Sequence, residues 1–179
     1  MRYLIISDIH GSLNSMKYLE KKFDELLCDK IICLGDILYH GPRNDLPLSY
    51  NPKEVIKIID RFRNDFIWIK GNCDAEVDEM VLKMRALERY NLSINQRKVI
   101  FTHGHHLSKY DIDYSIDKNS IIVHGHYHVF DISIINDYTF ISIGSASIPK
   151  DNKMQYGILD DNRIVIYDFN DCILGDYII

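Results

Sequence analysis

Two hydrophobic periods divide the chain, and its chemistry sits where the apolar runs stop. Residues 3–7, 30–34, 65–69, 98–102 and 121–123 are short runs rich in β-branched and aromatic side chains, as expected of strands buried on both faces. Between the first three, residues 12–27 and 53–64 carry apolar positions at helical spacing. These are Leu13, Met16, Leu19, Phe23 and Leu26 in one segment, and Val55, Ile56, Ile59 and Phe62 in the other. Strand, helix, strand, helix, strand predicts a parallel α/β beginning. Residues 76–84 read as one more short amphipathic helix, after which the text becomes strand-like. Residues 88–94, 130–135, 138–143, 156–159, 163–167 and 172–177, punctuated by turns such as Asn95-Gln96 and Asn136-Asp137, predict antiparallel strands. The polar stretch 108–119 is a surface connection or a ragged helix.

Each of the five buried runs ends in residues that bind cations. The first runs into Asp8-Ile9-His10-Gly11, the second into Gly35-Asp36 and the third into Gly71-Asn72-Cys73-Asp74. The fourth runs into His103-Gly104-His105-His106 and the fifth into His124-Gly125-His126-Tyr127-His128. Carboxylates and imidazoles together suit a divalent metal, and the carboxyl edge of parallel strands is where ligands of open α/β sheets collect. Any one of these motifs is weak, since an Asp after a strand commonly caps the next helix. Asp74 accordingly either orients a ligand or caps the helix from Glu76. His124 lies inside its strand and reads as a satisfied core residue. The loop 38–52 is long and irregular beside this edge, as functional loops are. Within it Arg43 and His40 are candidates for holding an anionic substrate, although Arg43 would equally serve to tie the loop to its own carbonyls.

At 179 residues the chain suffices for one domain, 1–179. A net charge of −5 with interleaved signs gives no electrostatic footprint for duplex nucleic acid. No apolar run has the length of a signal-peptide core or a membrane span. Four cysteines without a C-x-x-C pair fit reduced thiols and a cytoplasmic protein.

Taken in order, D-I-H, G-D, G-N-C-D, T-H-G-H and G-H-Y-H resemble the signature of the calcineurin-like metallophosphoesterase superfamily. The loop L-Y-H-G-P-R-N-D-L-P, together with G-N-C-D-x-E-V-D, is similar to its YfcE-type bacterial phosphodiesterase branch. The resemblance implies two mixed β-sheets packed face to face with helices on the outer faces, a four-layer α/β/β/α sandwich. It also implies a binuclear site, with Asp8, His10 and His128 on one metal, Asn72, His103 and His126 on the other, and Asp36 bridging both. Manganese is the first expectation; Fe, Zn, Ni or Mg are alternatives, because the donors are oxygen and nitrogen without thiolate. The implied reaction is in-line attack of a metal-bridging hydroxide on a small phosphate diester. A phosphomonoesterase using the same ions is the alternative, as is a non-catalytic protein-binding scaffold like the related retromer subunit. Seven ligand-type residues in place argue against the scaffold. Many relatives have a catalytic histidine after the ligand asparagine, where this chain has Cys73. That leaves His105 or Cys73 as the acid for the leaving group, with a packing role for Cys73 the simpler reading. Gly144-Ser145-Ala146-Ser147 matches a site-proximal loop of the family only loosely. Free antiparallel edges near the C-terminus allow a homo-oligomer.

Overall fold

The computed structural model describes residues 1–179. The apolar runs pair into two mixed sheets. In the first sheet β1 (Arg2–Ile6), β2 (Lys30–Cys33) and β3 (Phe66–Trp68) run parallel, joined by α1 (Leu13–Glu25) and α2 (Pro52–Arg61). A short α3 (Glu76–Leu82) precedes β4 (Tyr90–Ile94), β5 (Arg97–Phe101) and β6 (Ile121–His124). The chain then forms β7 (Phe130–Ile135), β8 (Tyr138–Ile143), β9 (Gln155–Asp160), β10 (Arg163–Asp168) and β11 (Ile173–Ile178). The first sheet has the order β11-β10-β9-β1-β2-β3 and the second β4-β5-β6-β8-β7.

Local chemistry fixes the helix starts. The Ser12 hydroxyl accepts from Ser15 N, the Asn51 side chain accepts from Glu54 N, and Pro52 occupies the first turn of α2, where its missing N–H costs nothing. Residues on β1 and β2 alternate between two cores. Leu4, Ile6, Ile31 and Cys33 pack under α1 and α2, whereas Tyr3, Ile5, Ile32 and Leu34 meet Val99, Phe101, Val123 and Ile141 of the second sheet. No helix is long and apolar enough to cross a membrane.

The two mixed sheets are those the resemblance implies, and three features refine the sequence expectation. β8 does form a hairpin with β7, but it also pairs in parallel with β6. β9 pairs antiparallel with β1, which carries the C-terminal hairpins into the first sheet. Over the outer face of the second sheet there is no helix. Leu107, Ile112 and Ile116 from the irregular stretch after β5 cover Ile100, Ile122 and Phe140 instead, so a loop forms this layer.

Candidate metal centre

All the ligand-type residues lie just beyond the carboxyl ends of parallel strands: Asp8 and His10 after β1, Asp36 after β2, Asn72 after β3, His103 after β5, and His126 and His128 after β6. Asp8, His10 and His128 present donor atoms within 4.8 Å of one another, as do Asp8, Asp36 and His103. Asp36 joins the two groups, its Oδ2 standing 3.8 Å from His10 Nε2 and 3.5 Å from His103 Nε2. His128 Nε2 is 3.2 Å from Asp8 Oδ1. His126 packs its ring 5.1 Å from that of His103, centroid to centroid, and lies outside these three-donor groups.

Backbone carbonyls aim the imidazoles. The Nδ1 atoms of His10, His103 and His128 lie 2.7, 2.7 and 2.9 Å from the carbonyls of Tyr39, Leu34 and Ile148. A carbonyl only accepts, so Nδ1 carries a proton and Nε2 is the atom each ring turns into the site. Asp8, His10, Asp36, His126 and His128 all have φ between +48° and +69°. Five non-glycine residues in the left-handed region cost on the order of 1 kcal/mol or more each, a strain that functional sites hold against the surrounding fold. Ser145 and Ser147 donate to Asp8 O at 3.0 and 2.8 Å, which gives the Gly144–Ser147 loop a definite role in holding the β1 turn. Gly71 and Gly125 have no room for a Cβ, which would overlap the Asp36 carboxylate in one case and Ser7 Oγ in the other.

The donor set fits divalent cations on two counts. Asp8 Oδ1 and His10 Nε2 are buried with no hydrogen-bond partner, an arrangement that is costly unless something positive satisfies them. His103 Nε2 faces Asn72 Oδ1 at 3.0 Å, so when the ring is neutral with its proton on Nδ1 two acceptors confront each other. A cation resolves both conflicts. The charges are unequal. Burial raises the Asp36 carboxyl, and the neighbouring Asp8 charge adds to this. Burial also works against ionised Asp8, but contacts with His10 and His128 outweigh it and hold Asp8 well below the carboxylate range. Burial and His103 bring His126 down to about 4, leaving a neutral imidazole at pH 7.

A cavity of about 840 Å³ opens over the centre, lined by Asp36, Asn72, Cys73, His126 and His128 among others. Arg43 also lines it. Asn44 ties its loop down, donating to His40 O at 2.7 Å, and the Arg43 guanidinium makes no hydrogen bond or ion pair within the chain. His40 is not among the lining residues; its ring is wedged edge-on between Tyr39 and Tyr50. His105 does not line the cavity either, and packs on His106 with centroids 4.0 Å apart. Cys73 does line it, but burial and Asp36 push its thiol up to about 12. His124 is buried, with Nδ1 against Gly125 O at 3.0 Å, the satisfied residue its position predicts. Lys150 lines the cavity without any sequence motif to announce it, and Tyr39 and Tyr127 line it from within motifs read for their neighbours. A backbone bond from Lys150 N to His128 O, 2.8 Å, brings the lysine there.

Residues 1–163 match the family model described as the calcineurin-like phosphoesterase superfamily domain. The chain belongs to this superfamily. The phosphodiesterase YfcE of Escherichia coli (strain K12) is 32% identical to this calcineurin-like phosphoesterase over 173 residues, 96% of this chain and 94% of that protein. A solved structure described as Yfce, a phosphoesterase from E. coli, covers 100% of both chains with a TM-score of 0.93 at 30% identity. The fold is also that of wild-type Vps29 complexed with Zn2+ from Entamoeba histolytica, with a TM-score of 0.59 at 19% identity over 100% of this chain and 98% of that one.

Proposed function

We propose that this calcineurin-like phosphoesterase is a metal-dependent phosphodiesterase that hydrolyses a small phosphate diester. In this reading Asp8, His10 and His128 hold one divalent ion, Asn72, His103 and His126 hold another, and Asp36 serves both. The buried, partnerless Asp8 Oδ1 and His10 Nε2 carry it. Two such ions supply Lewis acidity and a water whose pKa falls from ~15.7 towards ~7. Manganese comes first on the family resemblance alone, since oxygen and nitrogen donors without thiolate fit Fe, Zn or Ni as well. Water oxygen bonds to phosphorus, the P–O bond to the departing alcohol breaks, and a phosphate monoester and an alcohol result. Arg43 and Lys150, both lining the cavity, receive the non-bridging phosphate oxygens. The four cysteines are free, which supports a reducing, cytoplasmic setting.

The test is hydrolysis of bis-p-nitrophenyl phosphate beside p-nitrophenyl phosphate on metal-stripped protein, with Mn2+ added back. Mn2+-dependent cleavage with the diester preferred is expected. Preference for the monoester would replace diesterase by phosphomonoesterase. Two bound metals with neither ester cleaved would favour a protein-binding scaffold.

Leaving-group protonation gives a second expectation. His105 packs 5.3 and 6.1 Å from the rings of His103 and His126 but outside the cavity lining, and the Cys73 thiol is a weak acid, so both are poor candidates to protonate a departing alkoxide. Across diesters sharing one arm, kcat/KM should fall at least about a hundredfold from a p-nitrophenyl to an alkyl leaving group, the penalty typical of a missing general acid. Equal rates on the two would show that an acid operates in the site.

A further inference from the structure

The metal cavity does not end at Arg43. Arg43 and Asn44 also line an adjoining groove of about 570 Å³ whose walls include Leu46, Leu48, Ile148, Pro149 and Met154. Single apolar side chains on a surface are ordinary, but five converging on one groove are not. Leu46 and Leu48 are 60% and 82% exposed.

Both walls are anchored. On the Leu46–Leu48 side, Leu48 O accepts from Ser12 Oγ at 3.0 Å and Ser49 O accepts from Leu13 N at 3.0 Å. On the other side, Ile148 O meets His128 Nδ1 at 2.9 Å and Ile148 N donates to Ser145 Oγ at 3.0 Å. Ser145 in turn holds Asp8, so the groove keeps a fixed place relative to the metal residues. Arg43 lines both compartments; the cavity adds Lys150 beside Asp36 and Asp74, and the groove adds Asp45. With divalent ions on the metal residues the anionic phosphate would belong in the cavity, and the groove, whose one acid offsets its one base between apolar walls, suits an uncharged arm.

We propose that this groove is a subsite for one ester arm, and that the substrate class is a monoanionic phosphate diester with one extended alkyl arm. The inference rests on the phosphodiesterase reading for its orientation, with the phosphate at the metal residues and Arg43 at the junction. It predicts selection between diesters that differ only in the arm that does not leave.

The experiment compares methyl and octyl p-nitrophenyl phosphate, below the micellar range, on Mn2+-loaded wild-type protein and on the Leu46→Ser/Leu48→Ser variant. Beside it, calorimetry measures binding of dimethylphosphinate and methyl(octyl)phosphinate, monoanions that have no ester bond to cleave. The wild type should prefer the octyl compound about tenfold or more in both assays, and the variant should bring that ratio close to one, as expected when several methylenes lose an apolar contact. Both side chains are exposed, so the variant should melt with the wild type, which separates a lost subsite from a lost fold. A wild-type ratio near one, or a ratio unchanged in the variant, overturns the proposal. Octyl-selective binding without cleavage of either ester would leave the groove standing and overturn the phosphodiesterase reading instead.

Discussion

Replacing Asp36 with alanine should lower kcat/KM for bis-p-nitrophenyl phosphate by about a thousandfold or more, and should remove at least one metal equivalent per chain. Asp36 is the carboxylate whose Oδ2 approaches both His10 and His103, so its loss touches both halves of the centre. A thousandfold corresponds to roughly 4 kcal/mol of transition-state stabilisation, within the range of a lost Lewis acid. The variant should also separate two kinds of stability. In metal-free protein, Asp36 is a buried carboxylate that burial and Asp8 disfavour as an anion. Its removal relieves that repulsion while stranding only Cys73 N, which bonds Asp36 Oδ1 at 2.8 Å. Melting of the metal-free variant should therefore lie within a few degrees of the metal-free wild type. With Mn2+ in hundredfold excess over Kd, the wild type gains about 2.7 kcal/mol by mass action, and the variant should lose most of that gain. Metal content by mass spectrometry and melting with and without Mn2+ check both halves. A variant that retains two metals and a tenth of the activity would remove Asp36 from the bridging role.

What the sequence revealed, and what it concealed, follows from where information lies along a chain. The ligand-type residues were legible because each follows a buried apolar run, and a strand that ends in Asp or His has no packing reason to do so five times. Hairpins such as β7–β8 were legible from Asn136-Asp137, both with φ above +50°, the turn those residues accept. Pairing between distant strands was not. Nothing local to Tyr138–Ile143 says that its second neighbour is β6, since both edges of a fully buried strand read alike. Arg43 was identifiable because its loop is unusual, whereas Lys150 belongs to a plain polar connection and reaches the cavity only through its backbone bond to His128. His40 came from the same unusual loop as Arg43 and His105 from the motif after β5, and the fold packs His40 between Tyr39 and Tyr50 and His105 against His106 and His103. Asp74 was legible as important but not as to its purpose.

The structure decides that purpose, and the decision has a measurable consequence. Asp74 does not cap α3, since Ala75 is the capping position and Asp78 accepts from its N–H at 2.7 Å. The Asp74 carboxylate accepts four hydrogen bonds: Oδ2 from Asp36 N, Gly71 N and the Trp68 indole at 2.9, 2.7 and 3.1 Å, and Oδ1 from Ile37 N at 2.9 Å. One buried side chain thus fastens the turn after β2 to the turn after β3, the two turns that carry Asp36 and Asn72. Asp74→Ala would strand four donors. At about 1–3 kcal/mol for each buried orphan, and allowing for water entering the space, a loss of about 4 kcal/mol is expected, or roughly 8–16 °C in Tm. Asp74→Asn can keep its oxygen towards the three donors and set its amide against Ile37 N–H alone, so it should recover more than half of that loss. Freed turns no longer hold Asp36 and Asn72 in place, so metal affinity in the alanine variant should fall about 10–100-fold, as when other outer supports of metal ligands are removed. A simple helix cap behaves differently. Its removal costs about 1 kcal/mol and leaves a distant metal site intact. Calorimetric melting with Mn2+ titration of both variants distinguishes the two roles, and an alanine variant that melts within about 3 °C of wild type, the shift expected of a lost cap, with unchanged Mn2+ affinity would reduce Asp74 to a cap.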